Sequence, residues 1–157
     1  MTETVHATCV AFGDIAILLR GPAGSGKSDL ALRLIEAGAV LVADDRVALT
    51  AQDGRLVAAA PPALAGLLEL RGIGLVGLPH VSGVPVALAV DLVSAQDVER
   101  LPDPGWDAYL GVRIRKVAVT PFEQTAVAKL RIAAYDAVAQ PDPVTGARRH
   151  AEEDLTR

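Results

Sequence analysis

The chain has 157 residues, 51% of them hydrophobic, and a formal net charge of −4; one domain with ample apolar material for a core is expected, and global disorder is excluded. The acidic balance excludes a binder of nucleic-acid backbones, which needs clustered Lys and Arg, and an aromatic content of 3% leaves no stacking platform for single strands. The stretch Met1 to His6 lacks the basic and long apolar regions of a signal peptide, and no apolar run approaches the roughly 18 residues of a spanning helix, so a cytoplasmic location without a membrane partner is expected.

Val5 to Phe12 and Ile15 to Leu19 read as two strands joined by a tight turn at Gly13-Asp14. The chain's one cysteine, Cys9, lies in the first as a small buried hydrophobe. The second runs into Gly21-Pro22-Ala23-Gly24-Ser25-Gly26-Lys27-Ser28, after which Leu30, Leu34 and Ile35 keep helical spacing to a stop at Gly38. Val40 to Ala43 is a short apolar strand ending in Asp44-Asp45, and the segments Val47 to Thr50 and Leu56 to Ala59 flank Asp53-Gly54 as a hairpin. After Pro61-Pro62, Ala63 to Glu69 is expected to be a short helix and Leu70 to Gly77 a glycine-rich loop or bulged strand. Pro85 to Leu92 is a strand, Gln96 to Leu101 a polar loop, and Tyr109 to Ile114 and Lys116 to Thr120 two strands around Arg115. Glu123 to Val138 places Val127, Leu130, Ala134 and Val138 on one helical stripe. The chain thus divides into a domain over 1–139 and a polar, solvated tail over 140–157.

The segment from Gly21 to Ser28 fits G-x-x-x-x-G-K-[ST] between a strand and an amphipathic helix. In that setting, backbone N–H groups of the loop and the helix N-terminus converge on phosphate oxygens. Gly24 and Gly26 permit close backbone approach, Lys27 neutralises β/γ charge, and the Ser28 hydroxyl ligates Mg²⁺. A nucleoside triphosphate or another polyphosphate with Mg²⁺ is therefore the expected ligand. Such a site also needs a carboxylate at a strand end. Asp44-Asp45 offers two, projecting to opposite sides so that one faces Mg²⁺ and the other the acceptor hydroxyl as general base; Asp91 is a further candidate, which a structural role explains as well. Glu69, flanked by Leu68 and Leu70, must be solvated, paired or ligated, and His6 taken alone reads more readily as a partly buried structural histidine than as a functional one.

These residues resemble the catalytic domain of HPr kinase/phosphorylase over about His6 to Val138. The likeness is carried by His6 upstream of the loop, the loop itself, Leu41-Val42-Ala43-Asp44-Asp45-Arg46-Val47, Ala60-Pro61-Pro62 and Leu68-Glu69-Leu70-Arg71-Gly72-Ile73-Gly74. It implies an α/β P-loop kinase domain of the HPr kinase/phosphoenolpyruvate carboxykinase-like type, a mixed sheet with flanking helices. The implied reaction is ATP- and Mg²⁺-dependent phosphorylation of a seryl hydroxyl on the phosphocarrier HPr. Under the resemblance Asp44 is the base in the kinase direction and the acid in phosphorolysis, Asp45 supports the metal, Glu69 lies near Mg²⁺, and His6 lies near the phosphates. Assembly as a homo-oligomer, a hexamer in the family, is implied too.

Three departures stand out. Family members usually carry an additional N-terminal domain, whereas only five residues precede His6 here, so the chain resembles the catalytic domain alone. The family's Gly-Arg-Asn loop is replaced by Pro121-Phe122-Glu123-Gln124, which leaves the arginine associated with phosphorolysis unmatched. Asp29 stands where a glutamate usually follows the loop serine, keeping a negative charge at the helix N-terminus. Two competing readings are a small-molecule kinase, which predicts an Arg-rich lid where Leu70 to Gly77 offers only Arg71, and a non-catalytic ATP-dependent sensor, for which a base such as Asp44 is superfluous. With so few aromatics, adenine is expected in an aliphatic or weakly specific pocket.

Overall fold

The computed structural model describes residues 1–140 and 142. In chain order its elements are β1 (Thr2–Val5), β2 (Thr8–Phe12), β3 (Ile15–Arg20), α1 (Lys27–Glu36), β4 (Val40–Ala43), β5 (Val47–Gln52) and β6 (Arg55–Ala59). There follow β7 (Leu67–Leu70), β8 (Gly74–Gly77), β9 (Val84–Leu92), β10 (Gly105–Tyr109), β11 (Val112–Val119) and α2 (Ala126–Ala139).

The nine-residue β9 organises the sheet. Along one side it runs parallel to β3; along the other its first residues pair antiparallel with β6 and its later ones run parallel to β11. β2 pairs antiparallel with both β3 and β4, so β4 points the same way as β3, β9 and β11. The carboxyl ends of these four strands share one edge, which is where an α/β sheet collects its ligand.

Period-two alternation sorts the β3 side chains into two cores. Ile15, Ile17 and Leu19 pack with Leu30 and Leu34 of α1 and Leu130 and Ala134 of α2, while Ala16 and Leu18 meet Val47, Leu49 and Leu56 beneath β5 and β6. Helices thus cover one face and the β1-β5-β6 strands the other. A register shift between the Ala16↔Val86 and Ile17↔Leu88 pairs inserts Ala87, so Ala87 and Leu88 both face the helical core. Small residues at Ala126, Ala134 and Ala137 line the buried stripe of α2. Cys9 is buried, as expected, and burial pushes its thiol far above the ordinary range.

Four segments differ from expectation. The strand foreseen from Val5 to Phe12 breaks at His6-Ala7, because β1 pairs with β5 on one face while β2 joins β3 and β4. The helix foreseen over Ala63 to Glu69 shrinks to a 3₁₀ turn at Pro62–Leu64, ended by Gly66 at φ 74, and Leu67–Leu70 is strand. The Leu70 to Gly77 stretch contributes β8, which folds back on β7 as a separate two-stranded hairpin. Finally, the strands foreseen at Tyr109 to Ile114 and Lys116 to Thr120 are largely one continuous strand, β11, with Arg115 inside it facing Trp106; the turn falls at Leu110-Gly111, both at positive φ, and pairs β11 with the unforeseen β10. A leucine at the first left-handed position hides the turn from sequence reading.

Most of the foreseen tail, 140–157, lies outside the described residues; the Asp142 carboxylate is buried 3.2 Å from the Arg113 guanidinium. Among the described residues, no helix is long and apolar enough to cross a membrane.

Candidate active site

β3 ends at Arg20 and the chain turns through Gly21 to Gly26 into α1. Gly24 and Gly26 sit at φ 81 and 99, where L side chains are strained. The Ser25 amide closes the turn on the Pro22 carbonyl at 3.1 Å, and no side chain caps the helix at Gly26, so the first-turn N–H groups face outward. Lys27 is almost fully buried, its Nζ donating to the carbonyls of Gly21 at 2.6 Å and Pro22 at 3.0 Å.

Asp44, the first residue past β4, is 7% exposed and accepts three hydrogen bonds. The Thr8 and Ser28 hydroxyls donate to its Oδ1 at 2.9 and 2.8 Å, and the Glu69 N–H donates to its Oδ2 at 3.1 Å. β2, β4, α1 and β7 thus meet on one carboxylate. Asp45 adopts φ 65, and its side chain meets His6, with Nε2 and Oδ1 2.8 Å apart. Both lie at the open rim, and His6 reaches it because the chain breaks there between β1 and β2.

A cleft of about 530 Å³ joins these groups, lined by His6, Thr8, Ala23, Gly24, Gly26, Lys27, Ser28, Asp29, Leu32, Asp44, Asp45, Glu69, Leu70, Arg71, Ile73 and Phe122. Nearly every foreseen site residue is therefore in one place; Gly21, Pro22 and Ser25 build the loop itself. Asp91 is elsewhere, with both its oxygens engaged by the Arg20 guanidinium at 2.8 and 2.9 Å. Arg20 also donates to Asp107 at 2.7 Å and to the Tyr109 hydroxyl at 2.8 Å. Burial works against its charge, but these bonds outweigh it and raise its pKa further, while the Arg20 bond holds Asp107 below the usual carboxylate range.

Sequence reasoning missed Thr8, Leu32 and Phe122. A hydroxyl in an otherwise apolar strand, which burial would leave in need of a partner, was a legible signal for Thr8. Phe122 had none, since its place depends on how the β11–α2 connection folds over the loop.

The residues fit a polyphosphate with a hard divalent cation. Ser25 holds a buried hydroxyl with no partner among the described residues, a donor that an anion satisfies. The side-chain oxygens of Ser28, Asp44, Asp45 and Glu69 suit Mg²⁺, which keeps water and phosphate oxygens in its own shell and needs few protein ligands. Among the described residues, no group of three or more His, Cys, Asp or Glu could enclose a metal unaided.

Residues 1–135 match the family described as HPr Serine kinase C-terminal domain. The chain belongs to this family. Curated HPr kinase family relatives include an HPr kinase/phosphorylase of Clostridium tetani, 33% identical over 129 residues that cover 73% of this chain and 41% of the relative. Another, from Limosilactobacillus reuteri, is 35% identical, covering 74% and 40%. The aligned part is thus about two fifths of those relatives' length. A solved structure, the Hpr(Ser) kinase/phosphatase from Coxiella burnetii, matches with a TM-score of 0.70 at 24% identity, over 87% of this chain and 96% of that one. The HPr kinase fold foreseen from the sequence, mixed sheet with flanking helices, is therefore the fold observed.

Proposed function

We propose that the chain transfers the γ-phosphoryl group of ATP to a seryl hydroxyl of HPr or an HPr-like phosphocarrier. The observation that carries this reading is the Asp44 carboxylate, bonded to the loop's Ser28 hydroxyl and open to the cleft in a chain of this family. Lys27 exchanges the Gly21 and Pro22 carbonyls for phosphate oxygens, and the loop N–H groups bind the rest of the polyphosphate. Mg²⁺, held by Ser28 with Glu69 and Asp45 close by, supplies neutralisation of phosphate charge. Phosphoryl transfer through a loose transition state needs alignment more than early deprotonation. Asp44 therefore orients the seryl hydroxyl and accepts its proton late, at Oδ2, which carries one hydrogen bond where Oδ1 carries two. His6 holds Asp45 at the rim beside the acceptor's path.

The small-molecule alternative loses ground here. The β7–β8 hairpin is short and presents exposed Ile73 at the cleft, an open apolar rim better suited to a protein acceptor than to enclosing a metabolite. Cytoplasmic location and homo-oligomeric assembly complete the proposal; Ile132, Tyr135 and Val138, exposed along α2, support assembly.

Incubation of the purified chain with labelled ATP, Mg²⁺ and HPr tests the reaction: phosphoserine on HPr is expected, and unmodified HPr under conditions where ATP binds refutes it. With phosphate and phosphoserine-HPr instead, little or no pyrophosphate is expected. Glu123 occupies the region of the unmatched arginine and is engaged by Lys129 and Thr125, the Lys129 bond holding its carboxyl below the ordinary range. Robust pyrophosphate release would show that phosphorolysis does not need that arginine.

A further inference from the structure

We infer that the ring face of Phe122, rather than the aliphatic pocket expected from the scarcity of aromatics, is the platform on which the nucleobase of the bound triphosphate stacks; this rests on the ATP-binding reading above. Among the described residues Phe122 is the one aromatic lining the cleft, and it is 70% exposed although large and apolar. Its ring edge rests on the phosphate loop, so that a Cβ at Gly26 would stand 2.9 Å from it. The backbone that carries the ring is tied to α1, because the Arg33 guanidinium donates to the Pro121 carbonyl and is itself bonded to Asp29 at 3.1 Å. Leu32, one turn of α1 beyond Ser28, shares the same wall.

Topology decides which end of the nucleotide meets the ring. The strand order β11-β9-β3-β2-β4 puts Phe122, just past β11, and Asp44, just past β4, on opposite flanks of the loop that follows β3. Both flanks lie on the shared carboxyl edge. Ser28, Asp44, Glu69 and His6 gather on the β4 flank, so the reacting phosphoryl group and its acceptor belong there. A triphosphate lying across the loop then directs its nucleoside toward β11. The acceptor's apolar contacts are provided on the other flank by Ile73, whose hairpin bonds Asp44 through Glu69. A flat ring attracts any base through its π-face, and removing such a platform weakens binding on the order of tenfold.

Calorimetric titration of the unaltered chain, Phe122→Ala and Phe122→Tyr with MgATP and with magnesium tripolyphosphate tests this. For Phe122→Ala, about a tenfold weakening of ATP binding with tripolyphosphate affinity unchanged within about twofold is expected, and Phe122→Tyr restores ATP binding. Tripolyphosphate serves as the folding control, because it engages the loop without a base. Equal loss for both ligands would overturn the inference, the ring then acting through Gly26 on the loop. So would unchanged ATP affinity with a raised KM for HPr, which would place the acceptor on the ring. Failure of the unaltered chain to bind either ligand overturns the ATP-binding reading and this inference together.

Discussion

Alanine at Asp44 is expected to lower phosphoryl transfer to HPr by about 10³-fold, within the range of positioned acid–base groups, while the chain stays folded. The carboxylate has two tasks that alanine removes at once. It receives the seryl proton, and it fixes the Ser28 hydroxyl of the loop relative to Thr8 of β2 and the Glu69 backbone of the hairpin. The second task sets the stability cost. Three donors lose their acceptor, each worth about 1–3 kcal/mol if left dry, but the cleft admits water, so a total of roughly 1–2 kcal/mol is expected. Thermal unfolding, ATP binding and HPr phosphorylation measured on the same preparation separate the effects. Retention of more than a tenth of the rate would remove Asp44 from the base role. Asp45→Ala is the internal comparison: its carboxylate is 64% exposed and meets the equally rim-placed His6, so a smaller loss, on the order of tenfold, is expected.

The contrast between those neighbouring aspartates marks how far the sequence could be read. An apolar strand ending in two carboxylates after a phosphate loop announces that one of them serves the site, and alternation announces that they part company. Which one turns inward is decided by the left-handed backbone at Asp45 and by Thr8, and neither is encoded locally. The same division holds for the fold. β3, α1, β4, the β5–β6 hairpin, β9 and α2 follow from periodicity and turn residues. The β7–β8 and β10–β11 hairpins do not, because Gly72 and Gly74 suggested a loop and Leu110 disguised a turn. His6 reaches the rim only because β1 and β2 take separate places in the sheet, β1 beside β5 and β2 between β3 and β4, a long-range pairing that residues 1–12 cannot announce.

Arg20→Met is expected to destabilise the fold by roughly 2–3 kcal/mol and, through the loop it anchors, to raise the KM for ATP more than it lowers kcat. The guanidinium is 16% exposed and bridges three strands: β3 that carries it, β9 through Asp91, and β10 through Asp107 and Tyr109. Removing one partner of a fully buried pair costs about 3–5 kcal/mol. Asp91 and Asp107 are 38% and 42% exposed, so water compensates part of their loss and the lower figure follows. Lysine at 20 keeps the charge but not the two-pronged contact with Asp91, and is expected to recover less than half of the deficit. Because Gly21 follows directly and packs close to Leu92, slack at residue 20 passes into the phosphate loop. Acid titration gives an independent check. The Arg20 bond lowers the Asp107 pKa in the folded state, so its stabilisation is complete above the ordinary carboxylate value and lost as pH falls through the lowered one. Asp107→Asn should therefore flatten the stability curve in that acid window and leave its slope at neutral pH unchanged; an unchanged acid limb would show that the bond contributes nothing, and an Arg20→Met variant as stable as the unaltered chain would show the same of the whole clamp.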